Sequence, residues 1–100
     1  MKRLPMIMMG LLLSQSVLAD EQAFVSTRTL SLELANKLSM AAARYCTKQG
    51  YQVSVAVTDR SGKLLAFIRN PLAGSHTIDV AILKAATSAT FQTPTIDMMK

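Results

Sequence analysis

His76 is the only imidazole in this 100-residue chain and Cys46 is its only thiol. Imidazole and thiolate chemistry is therefore confined to two positions. Ser75, His76 and Asp79 form the one grouping with hydrolase residue types. Residues so close on one helical turn cannot reproduce the aligned geometry of a nucleophile, base and acid, so no hydrolase is read from them. A single thiol forms no internal disulfide. Cys46 falls in a helical pattern and reads as a buried, inert thiol, with an intermolecular bridge or a metal-binding thiolate as the sharper alternatives. Cys-x-x-Cys pairs, Walker-type phosphate loops and Gly-x-Ser-x-Gly elbows are absent.

The first nineteen residues read as an address. Lys2 and Arg3 precede an apolar run from Met6 to Leu13, and Val17-Leu18-Ala19 forms a small-residue cleavage site before Asp20. That is the anatomy of a secretory signal peptide. The run is shorter than the roughly 20 apolar residues that span a bilayer, so no membrane association is expected once it is removed. The mature chain is expected to run from Asp20 to Lys100, in the periplasm or outside the cell. It carries nine basic against six acidic residues, scattered without runs, which gives no support to nucleic-acid binding.

The elements that must position His76 and Cys46 follow from periodicity. Ser31 reads as the cap of a helix that Gly50 stops, with Leu34, Leu38, Ala41 and Tyr45 as its inner stripe and Ala35, Ala42 and Cys46 beside it. Tyr51 to Asp59 alternates as a strand, and Asp59-Arg60-Ser61-Gly62-Lys63 is turn chemistry with Gly62 at the left-handed position. Leu64 to Arg69 is the return strand, apolar on both faces, which predicts a sheet covered on both sides. Ser75 is expected to cap a second helix through about Thr90, with Ile78, Ile82, Ala85 and Ala89 as its inner stripe. Thr93 and Pro94 are expected to open a third helix, as cap and first residue. Two strands make a marginal sheet. The chain is accordingly read as the front part of a larger domain, cut off after the second helix.

These blocks in series resemble the GlcG/HbpS-like haem-binding family. The resemblance is carried by Leu30-Ser31-Leu32-Glu33-Leu34-Ala35, then Val53-Ser54-Val55-Ala56-Val57-Thr58-Asp59. It continues through Gly62-Lys63-Leu64-Leu65-Ala66-Phe67-Ile68-Arg69 and ends with Ser75, Ala81, Lys84-Ala85-Ala86-Thr87-Ser88-Ala89, Phe91 and Pro94-Thr95. It implies an α+β domain over residues 20–100, a profilin-like sandwich of antiparallel sheet with packed helices. It also implies an exported haem-binding protein, in haem sensing or scavenging, that assembles as a homo-oligomer. Family members continue with a Gly-Gly-rich segment and further strands that this sequence lacks.

Haem requires an apolar slot, an axial ligand and cations for its propionates. Without Cys-x-x-Cys-His its attachment would be non-covalent. Ligand-bearing side chains are His76, Cys46, Tyr45, Tyr51, Met40, Met98 and Met99. His76 is the first candidate, because a helix start favours the neutral imidazole that binds iron. Arg69 and Lys84 are the candidate propionate partners. The family's haem-degrading label finds no supporting residues here, so binding rather than turnover is expected. The competing reading is a non-catalytic oligomerising module that takes a different small molecule.

Overall fold

The computed structural model describes residues 23–100. The segment read as a signal peptide, residues 1–19, and the cleavage point before Asp20 lie outside the described residues. The order of elements is α1 (Leu32–Lys48), β1 (Ser54–Thr58), β2 (Leu64–Arg69), α2 (Thr77–Phe91) and the short α3 (Thr95–Met98). This is an α+β arrangement whose sheet, among the described residues, is the antiparallel β1–β2 pair.

Both ends of α1 are closed as expected. The Ser31 hydroxyl accepts from the Leu34 N–H at 3.2 Å, satisfying one donor of the first turn. At the other end Gly50 adopts φ +89°, a conformation a side chain would disfavour. The Tyr51 N–H then reaches back to the Cys46 carbonyl and the Gly50 N–H to that of Thr47. Because Tyr51 is spent on closing the helix, the first strand starts later than its alternation predicts, at Ser54.

The hairpin follows its turn chemistry. Asp59 Oδ1 accepts from the N–H groups of Ser61 and Lys63, at 2.9 and 3.0 Å, and Gly62 sits at φ +81°. The pairs Val55–Ile68 and Val57–Ala66 are followed by Thr58–Leu64, so Leu65 is an extra residue in β2 next to the turn. The Asn70 N–H donates to the Val53 carbonyl at 3.0 Å, which fixes the phase of the ladder. Val55 and Val57 therefore exchange bonds with β2, while the N–H and C=O groups of Ser54 and Ala56 point to the open edge.

Helices α1 and α2 both pack on the two strands but do not touch each other. On a ladder only two strands wide, about 5 Å, that places them on opposite faces, and the predicted two-sided cover is present. The hydroxyls of Ser54 and Thr77 hydrogen-bond at 2.7 Å, so the Ser54 and Ala56 face belongs to α2 and the Val55 and Val57 face to α1.

The inner face of α1 departs from the sequence reading. Ala35 and Ser39 are fully buried and Ala43 and Cys46 half-buried, whereas Leu34, Leu38, Ala41 and Tyr45 are exposed. Small side chains let the helix axis approach the sheet, and the larger ones are displaced to one flank. Ser39 tolerates burial because its hydroxyl donates to the Asn36 carbonyl at 2.8 Å. Helix α2 keeps its expected stripe, with Ile78, Ile82, Ala85 and Ala89 turned inward. Its start differs: Ser75 does not cap it, and His76 occupies the N-cap position without a side-chain capping bond. The third helix also starts one residue late, with Pro94 as the cap residue, because the Thr93 hydroxyl donates to the Phe91 carbonyl.

Close packing at Ser39 yields a direct test. Ser39→Leu should lower unfolding free energy by about 1–3 kcal/mol through overpacking, measured by urea denaturation. Ser39→Ala should cost much less, because the donor it removes bonds only within its own helix turn.

Candidate functional site

Arg69 ends β2, and its side chain organises the loop that follows. Its Nη1 donates to the carbonyls of Ala73, Pro71 and Asn70, at 2.9, 3.2 and 3.3 Å. The Asn70 side chain accepts from the Leu72 N–H at 2.9 Å and donates toward Thr47 Oγ1 at 3.4 Å. The loop is thereby tied to both the strand end and the last turn of α1, and Ala73 is buried within it.

His76 stands at the far end of this loop and is exposed. Its ring lies against Gly74: a β-carbon there would stand 2.7 Å from Cε1 and 2.8 Å from Nδ1, but 3.9 Å from Nε2. Glycine at 74 is thus a space requirement, and Nε2 is on the side of the ring turned away from it. Lys84 lies about two turns further along α2 on its exposed side, beside Val80 and Leu83. The three expected residues are not one cluster. Arg69 and His76 share a loop, and Lys84 is set apart on the other face of the sheet from α1.

A cleft of about 450 Å³ opens between α1 and β2, lined by Met40, Ala43, Arg44, Thr47, Lys48, Ile68, Arg69 and Asn70. Met40, Ala43 and Ile68 make an apolar floor, and Arg44, Lys48 and Arg69 supply three cations. Its size lies within the range of small-molecule sites, roughly 300–1,000 Å³. Arg69 was expected at a binding site; Arg44 and Lys48 were not. Their signal was the spacing Met40, Arg44, Lys48, which at four-residue steps lines up along one side of a helix. His76 and Lys84 are not among the lining residues. Among the described residues no group of three His, Cys, Asp or Glu side chains is placed to hold a metal ion, and no helix is long and apolar enough to cross a membrane.

The cleft is thus apolar-floored and cation-rimmed, on a helix-covered antiparallel sheet of an α+β fold. The family model described as "Haem degrading protein HbpS-like" matches residues 30–100, and the chain belongs to that family. Among curated proteins none matches the chain.

The Gly74–His76 contact generates the second test. Gly74→Ala should displace the imidazole, seen as a change in the His76 ring resonances by NMR. Stability should change by less than about 0.5 kcal/mol, since the displaced group is an exposed side chain.

Proposed function

We propose that this is an exported haem-binding protein that serves haem sensing or scavenging. The observation that carries the reading is the α1–β2 cleft, in a chain whose family name points to haem. A tetrapyrrole is a flat apolar body with two carboxylates. It calls for a floor such as Met40, Ala43 and Ile68 and for cations such as Arg44, Lys48 and Arg69. Haem bound there would bring redox-active iron. The protein's part is to exclude water from the ring, neutralise the propionates and supply an axial donor.

His76 is the first proposed iron ligand as the sole imidazole; it does not line the cleft but stands at the far end of the loop that Arg69 and Asn70 of the cleft begin, with Nε2 facing away from Gly74. Lys84, on the other face of the sheet from this cleft, takes no part in the proposed site. Export rests on Lys2, Arg3, the run from Met6 to Leu13 and Val17-Leu18-Ala19. Self-association belongs to the same reading, because the described residues bury little apolar side chain beyond Ala35 and Ala73.

Titration of the purified protein with hemin tests the proposal. A Soret band should grow to saturation, and the Met40→Glu/Lys48→Glu pair should weaken binding by about tenfold or more, equivalent to about 1.4 kcal/mol. Unchanged affinity in that double variant would remove the cleft from the site, and no Soret band at all would favour a different small molecule. His76→Ala should shift the band while leaving the fold intact. An unshifted band would transfer the ligand role to another donor, Met40 being the one in the cleft. N-terminal sequencing of exported material should begin at Asp20.

A further inference from the structure

Arg69 belongs to two structures at once. It lines the α1–β2 cleft, and its Nη1 donates to the carbonyls of Asn70, Pro71 and Ala73. Among the described residues Nη2 and Nε meet no acceptor, so one side of the planar fork is committed to the loop and the other is presented at an exposed rim. No Asp or Glu lines this cleft, so the outer side of the guanidinium is not neutralised from within the site.

The loop that Nη1 gathers runs to His76 between two fixed ends. At its start the Asn70 N–H donates to the Val53 carbonyl at 3.0 Å. At its finish the Gly74 carbonyl accepts from the Thr77 hydroxyl at 2.6 Å and from the Thr77 N–H at 3.0 Å. That hydroxyl also meets Ser54 of β1 at 2.7 Å. Between these ends the carbonyls of Pro71 and Ala73 are gathered by Arg69 alone among the described residues.

We propose that Arg69 is a positioning residue that transmits the binding of a ligand carboxylate in the cleft to His76. A carboxylate on Nη2 and Nε fixes the plane of the guanidinium, as bidentate pairs do. Nη1 lies in the same plane, so its hydrogens are then held toward the loop carbonyls. The rotamer freedom that weakens bonds from an exposed arginine is already lost to the ligand, and the loop tightens. Gly74 moves with the loop, and the His76 ring rests on it too closely to leave room for a β-carbon. The imidazole therefore registers the change directly. Arg44 and Lys48 reach the same cleft from α1 and bond no loop carbonyl, so they attract the anion without passing its arrival on. This step rests on the cleft proposed above as the binding site and not on iron, because the carboxylate alone drives it.

Octanoate is the probe, an apolar chain with one carboxylate and no metal, followed on the mature chain by NMR and amide exchange. Exchange of the Ala73 and Thr77 amides should slow by about fivefold or more, the lower end of ordinary coupling between sites. The His76 ring resonances and the Arg69 Nε–H should shift along the same binding curve. Arg69→Gln should abolish the responses at 73, 76 and 77 even at saturating octanoate. Arg44→Gln and Lys48→Gln remove equal charge and should weaken binding, yet keep those responses at saturation. Rotation of the Arg69 guanidinium needs no variant: read from its Nη resonances in the parent protein, it should slow on binding. Octanoate bound with both amides and His76 unchanged overturns the proposal. So does a response that survives Arg69→Gln, or a parent protein that binds no octanoate. Hemin separates this step from the haem reading: a Soret band without the octanoate response removes this step alone, and the octanoate response without a Soret band removes haem alone.

Discussion

The closeness of α1 to the sheet governs the rest of this molecule. Ala35 and Ser39 carry almost no bulk, so the helix lies low on the Val55 and Val57 face, and dispersion contacts come from backbone and Cβ atoms rather than from long side chains. A helix seated this way cannot bury its leucines under itself. Leu34, Leu38 and Tyr45 are pushed to one flank, and Met40 to the other. The two surfaces that give the molecule its chemistry are thus consequences of one packing choice. One flank becomes the wall of a cleft against β2, and the other becomes an apolar overhang above β1.

Arg69 does for the loop what Ser39 does for the helix. Three carbonyls of residues 70–73 would otherwise depend on water, and one guanidinium nitrogen gathers them. The remaining face of that guanidinium contributes to the cleft rim. A residue at the end of an apolar strand thereby fixes the path toward Gly74 and His76 and supplies positive charge at the same time. A lysine at position 69 would keep the charge but present it on a shorter side chain as a compact ammonium, in place of the planar Nη1 that meets the Ala73, Pro71 and Asn70 carbonyls.

Much of the fold was legible because it depends on local chemistry. Ser31, Gly50 and Gly62 each do what their residue type dictates, and β2 runs over the expected Leu64–Arg69. The stripe of α1 was not legible, for a specific reason. Hydropathy ranks leucine and tyrosine above serine, whereas the contact with the sheet selects for size, and a serine bonded to its own helix carbonyl behaves as a small, satisfied residue. The site divides in the same way. Arg69 stood out as a charge closing an apolar strand, but Arg44 and Lys48 look in sequence like any solvated helix face. Only the position of Ile68 and Met40 beside them turns that face into the rim of a cleft.

The two flanks of α1 also bear on each other. The helix is a single rigid body of 17 residues, and its axial position over the sheet sets both the width of the α1–β2 cleft and the height of the overhang above β1. With Ala35 and Ser39 fully buried beneath it, α1 sits close enough to the sheet that Met40 and Ile68 stand together on one flank, while Leu34, Leu38 and Tyr45 stay exposed on the other.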